Sequence, residues 1–242
     1  MAIPVGTERR QLSEHVAMVV REAIMSGELR GADYLRTEQL AERLGVSATP
    51  VREALMVLHS EGAVRWEPRR GFRVVPLTER DVVDMFAVAA FIEGELAARA
   101  VDLLPDAEVG RLHEMQGVLA DAARAGDLDE VFQVNHEIHS AINRPGLSAR
   151  LQTQLTMSLK YLPRSHYGRV DGWVEASVRD HGPVLAALAA RDAEAARAAM
   201  RDHMLHIGEL LRAHLDRVGV FGAGGGADPR SGGEADPRSG GR

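Results

Sequence analysis

The hydrophobic period of this chain changes twice, and those changes restrict it to a short list of architectures. Across residues 12–62 apolar side chains recur at helical spacing in three separate short runs. At Ala63 the spacing drops to that of strands, and from Thr78 to Val218 it returns to helical with no strand pattern. The first run places Leu12, Val16, Val19, Val20, Ala23 and Ile24 on one face and stops at Gly27. The second covers Thr37–Leu44 and ends at Gly45. The third opens with Ser47 as N-cap and carries Val51, Ala54, Leu55 and Leu58 inward until Gly62. Two strand-like stretches, 63–66 and 72–75, then flank Glu67-Pro68-Arg69-Arg70-Gly71, which predicts a hairpin with a basic tip.

Past Pro76 the pattern predicts six helices, at 78–103, 106–125, 127–143, 148–165, 173–190 and 192–218, the first begun by a capping-box-like Thr78 with Asp81. The fold class is therefore mainly α. A winged helix-turn-helix unit is expected over residues 1–76 and an all-helical bundle over 78–218, followed by a disordered tail at 222–242, where ADPRSGG occurs twice. The composition agrees, since 45% apolar residues in 242 suffice for a buried core and no uncharged apolar run approaches the roughly 20 residues of a membrane span. Residues 1–10 lack the apolar stretch of a secretory signal, and cysteine is absent, so a cytoplasmic location without disulfides or thiolate metal sites is expected. Charge is unevenly spread: residues 1–76 hold 11 Arg and 10 acidic residues, whereas the rest carries a net −7. The basic part coincides with the part expected to meet DNA.

The wording of the head is specific. Leu40-Ala41-Glu42-Arg43-Leu44-Gly45-Val46-Ser47-Ala48-Thr49-Pro50-Val51-Arg52-Glu53-Ala54-Leu55, then Glu61-Gly62 and Arg69-Arg70-Gly71-Phe72, resembles the GntR family of bacterial transcription regulators. Ser47 and Thr49 would present hydroxyls and N–H groups to phosphate at a helix start, and Arg52, one turn on, could reach a guanine O6/N7 pair. The resemblance implies DNA contacts at Arg36, Ser47, Thr49, Arg52, Arg70 and Gly71. Ala48 departs from it where many members have arginine, which implies a different operator sequence.

Ten histidines prompt a search for ligand spacing. His136-Glu137-Ile138-His139 is not a zincin motif, because its histidines stand at i and i+3. Asn135 and His139 share a helical face, and His181 and His203 lie amid apolar residues on later helices, pointing inward. The segments around Asn135 to Asn143, Asp180-His181 and Asp192 to His203 resemble the FCD domain of the FadR branch of GntR regulators. That resemblance implies a divalent ion held by Asn135, His139, His181 and His203, with zinc the first choice and nickel or manganese as alternatives, and coordination positions left open for water or a ligand carboxylate. Asn135 in place of the commoner Asp makes the site one charge less negative. Ala89 stands where members carry an arginine one turn before Glu93, so a cation for an effector carboxylate would come from elsewhere, with Arg164 and His166 as candidates. His15, His59, His113 and His214 are expected at the surface.

The expected function is that of a ligand-responsive regulator, a repressor by default, acting as a homodimer on two-fold symmetric double-stranded DNA and sensing a small effector such as an organic acid, without membrane attachment. A metal-dependent hydrolase is the alternative, although no carboxylate stands at the spacing of a general base. A bundle whose histidines are merely packed is the third reading.

Overall fold

The computed structural model describes residues 7–31, 33–160, 168 and 170–221. The head contains α1 (Thr7–Met25), β1 (Tyr34–Leu35), α2 (Thr37–Leu44), α3 (Ala48–Ser60), β2 (Val64–Glu67) and β3 (Gly71–Val74). The bundle contains α4 (Glu79–Leu103), α5 (Asp106–Ala125), α6 (Leu128–Asn143), a 3-10 turn at Arg144–Gly146, α7 (Ala149–Leu159), α8 (Trp173–Ala189) and α9 (Ala193–Arg217). Each helix expected from the spacing is present. The end of the expected 148–165 helix, Arg164, His166 and the 222–242 tail lie outside the described residues.

Helix ends follow local chemistry. Thr78 accepts from the Asp81 amide while the Asp81 carboxylate accepts from Thr78, closing a capping box at the start of α4. Asp127, Ser148 and Asp192 cap α6, α7 and α9 in the simpler way. Ser47 has the extended backbone of an N-cap, but its side chain makes no capping hydrogen bond.

The hairpin gains a third strand that the sequence did not announce. β1 adds to β3 in the order β1-β3-β2, all antiparallel, with Leu35 opposite Phe72 and Trp66 opposite Phe72 on the other side. Gly71 sits at φ +98°, and a Cβ there would lie 2.8 Å from the Leu35 carbonyl oxygen, so the wing can cross β1 only with glycine at this point. Val51, Ala54, Leu55 and Leu58 are fully buried in the head core with Val16, Val20, Ile24 and Phe72.

α4 and α9 form the spine of the bundle, packed with α6 and α8 around Leu96, Ile138, Leu188, Met200 and Leu211. They approach closely: a Cβ on Gly208 of α9 would come within 2.5 Å of the Phe86 ring on α4. Gly208→Ala is therefore expected to overpack this crossing and lower stability by about 1–3 kcal/mol, read as a lower midpoint in urea at unchanged slope. His214 does not lie at the surface, because α9 turns it inward between Leu211 and Leu215. Met25, at the end of α1, packs into the bundle core rather than the head core.

Candidate metal centre and DNA-reading face

Three helices bring His139 (α6), His181 (α8) and His203 (α9) together, with one ligand nitrogen from each lying within 4.8 Å of the others. Ring centroids are 4.8 to 5.2 Å apart. His139 Nε2 and His203 Nε2 are separated by 3.3 Å. Two nitrogens bound tetrahedrally to one ion at the usual zinc distance would stand about 3.3 Å apart.

The far sides of two of the rings are tethered. His139 Nδ1 is 2.6 Å from Glu93 Oε2 of α4. His181 Nδ1 is 2.9 Å from Gln116 Oε1 of α5, and the Gln116 amide nitrogen donates to the Val178 carbonyl at 2.8 Å. With its nitrogen so engaged, Gln116 turns its oxygen toward His181, which places the proton on Nδ1 and leaves a lone pair on Nε2. That Nε2 is buried and has no hydrogen-bond partner. Asp180 Oδ2 stands 3.8 Å from His203 Nδ1, beyond hydrogen-bond reach, which leaves that buried nitrogen without a partner, and it accepts instead from His206 Nδ1 at 2.6 Å. Asn135 Oδ1, one turn before His139, is also buried without a partner. Buried acceptors without donors are costly, and a divalent cation answers them together. Carboxylate and amide tethers on the remote nitrogens are the usual outer support of metal-bound imidazoles. The donor set therefore fits a divalent ion.

Electrostatics set the protonation of this cluster. Burial alone would raise the Glu93 carboxyl, but the His139 charge and hydrogen bond, with help from His203 and Asn143, hold it below its ordinary range. Burial would lower His139, yet the Glu93 charge and hydrogen bond raise it. Burial, then the neighbouring His139 and His203, push His181 well down, and burial lowers His203. In the metal-free chain a depressed His181 contributes stability above the unfolded value near 6.5 that is lost as pH falls below it; the raised His139 works in the opposite sense. Because metal needs neutral imidazoles and Glu93 favours the charged form of His139, metal affinity is expected to begin falling above pH 6.5 on acidification, checked by competition titration at stepped pH.

An open cavity of about 370 Å³ lies between α8 and α9, lined by Arg179, Asp180, Asp202, His203 and His206 among others, and reaches the back of the His203 ring. Neither Glu93 nor Gln116 was predicted as a tether, nor Asp180 as a neighbour of His203. Glu93 left an ambiguous sequence signal, since the otherwise apolar run from Ala89 to Ala98 holds two carboxylates, Glu93 and Glu95, whereas Gln116 on an otherwise ordinary helix left none.

In the head, Arg36, Ser47, Thr49, Arg52 and Arg70 are all exposed, with Gly71 half-buried at the wing. Ser47, Thr49 and Arg52 cluster at the N-terminal end of α3. At the wing, Arg70 donates to the Tyr34 hydroxyl, which donates to Glu67.

Comparison with known proteins gives this geometry its context. Residues 12–74 match the family model of bacterial regulatory proteins of the gntR family, and residues 84–206, half the chain, match the FCD domain. The chain belongs to the GntR family and carries an FCD domain. This regulator is 32% identical over 220 residues to the uncharacterized HTH-type transcriptional regulator BphR of Paraburkholderia xenovorans, covering 86% of this chain and 83% of that one. It is 29% identical over 190 residues to the HTH-type transcriptional regulator McbR of Escherichia coli, covering 76% and 86%. Its fold resembles the solved E. coli McbR/YncC with a TM-score of 0.61 at 26% identity, over 84% of this chain and 98% of the other. Both family models and these relatives are those of helix-turn-helix transcriptional regulators, not enzymes, and the hydrolase alternative falls with that. Among the described residues no helix is long and apolar enough to cross a membrane.

Proposed function

We propose that this regulator is a ligand-responsive repressor of the FadR branch, acting in the cytoplasm as a homodimer on two-fold symmetric operator DNA, with a divalent ion, zinc by preference, held by Asn135, His139, His181 and His203. The observation that carries the metal reading is the buried, partnerless Nε2 of His181 beside two imidazole nitrogens 3.3 Å apart. Three imidazoles and one amide oxygen leave room for a further ligand, so an effector carboxylate could complete the shell, and the ion would supply the positive charge that such a group needs. The cavity that His203 lines gives a small molecule a way toward the cluster, and since Arg179 in its wall is paired with Asp180 at 2.9 Å, the ion itself is the cation an organic acid would meet. Arg164 and His166 stay candidates for the same role.

Operator reading is assigned to Ser47, Thr49 and Arg52 on α3, Arg36 before α2, and Arg70 with Gly71 on the wing. A single head reads one half-site, and the exposed Val83, Val88 and Phe91 along α4 supply an apolar face of the kind that pairs two copies. A shift assay with DNA from upstream of the chain's own gene tests the assignment, the reading being wrong if the protein binds that DNA no better than an unrelated fragment. Glu93→Gln keeps the shape but removes the charge on His139, and is expected to weaken zinc binding by about 10–100-fold without altering the circular dichroism.

A further inference from the structure

The single lysine of the chain closes a contact that the domain division does not anticipate. Lys160, the C-cap residue of α7 in the bundle, places Nζ 2.9 Å from Glu61 Oε1. Glu61 is the C-cap of α3, the helix whose other end carries Ser47, Thr49 and Arg52. The same carboxylate accepts two hydrogen bonds from Arg21 of α1, at 2.8 and 2.9 Å. Its side chain is only 2% exposed, with Arg21 at 12% and Lys160 at 31%. One buried carboxylate thus joins α1, α3 and α7. A pair so sheltered is little screened by salt, unlike a surface ion pair.

A second point of attachment lies nearby in sequence. Met25, four residues beyond Arg21 on α1, is packed into the bundle core. An apolar anchor at one place, with the chain link from β3 to α4, holds the head on the bundle but leaves rotation about the line joining the two points free. A polar tie at a second place removes that rotation.

We propose that Lys160 is a latch fixing the angle of α3 against the bundle through Glu61, with Met25 as the pivot, so that movement of α7 turns the DNA-reading helix. The proposal rests on the reading of α3 as the operator-binding helix. Burial by itself would raise the Glu61 carboxyl, and the hydrogen bonds from Arg21 and Lys160 overcome it, keeping the latch ionised near neutral pH.

The absence of cysteine makes the test clean. Spin labels on Glu38→Cys in α2 and Glu114→Cys in α5, both exposed, report the head-to-bundle distance within one protomer when labelled protein is diluted with unlabelled. The parent chain is expected to give one narrow distance peak. Lys160→Met should lose it to a broad distribution, Lys160→Arg should keep it, and zinc uptake should be the same in all three. Acetylation of the folded parent with an amine reagent, which has one side-chain amine to act on, should lose the peak as well, and this arm stands if Lys160→Met misfolds. A narrow peak retained after both treatments overturns the latch. Loss of the peak in a protein that does not bind its upstream DNA would leave the latch standing and remove the operator-reading assignment of α3 instead.

Discussion

His181→Ala is expected to lose most of the bound metal. Its Nε2 is the buried lone pair that nothing in the fold satisfies, and the Gln116 tether holds that lone pair toward His139 and His203. Removing an imidazole that binds the ion directly should cost more than the ~10–100-fold typical of losing an outer tether. Metal bound only by the folded chain stabilises it by about 2.7 kcal/mol at a hundredfold excess over Kd. For a protein of this size that corresponds to roughly 5–10 °C in the melting temperature. Chelator should therefore lower the melting point of the parent by that amount and leave His181→Ala unchanged, as measured by differential scanning calorimetry. Adding His203→Ala to His181→Ala should cause little further loss of metal, because the two side chains serve one ion.

Arg52→Ala should abolish specific operator binding. The side chain is exposed one turn into α3, clear of the buried Val51, Ala54, Leu55 and Leu58. A bidentate arginine–guanine contact is worth about 1–3 kcal/mol, and a homodimer loses it twice, which amounts to about 30-fold or more in affinity. Metal content and circular dichroism should not change, since Arg52 touches neither core. A quantitative shift assay with the upstream DNA and an unrelated fragment reads the effect: parent-like affinity for the upstream DNA would show that α3 does not read bases through this residue.

The helical skeleton was readable from spacing because amphipathic helices of two or more turns leave a strong periodic trace, and Thr78, Asp127, Ser148 and Asp192 marked their starts. β1 was not readable, since two residues cannot display an alternation and Tyr34-Leu35 acquires strand geometry only by pairing with β3. His181 and His203 stood out because each lies amid apolar residues and His139 because Asn135 shares its helical face, while their grouping as one ligand set came from the FCD resemblance. Gln116 and Asp180 did not stand out, because their roles depend on which helix packs beside which. The same holds for Glu61 and Lys160, separated by 99 residues and brought together only by the docking of α3 against the end of α7. His214 was misread although the signal was present: Ile207, Leu210, Leu211 and Val218 share its helical face, the same apolar setting that marks His203, and α9 buries it.

The histidine cluster is proposed to hold one divalent ion. Native mass spectrometry of the full chain, stripped and then titrated with zinc, tests it most directly. One retained zinc per chain is expected in the parent at a stoichiometric addition, and none in His139→Ala or His203→Ala under the same conditions. A parent that stays at its metal-free mass throughout the titration would contradict it, and the three histidines would then be packed core residues.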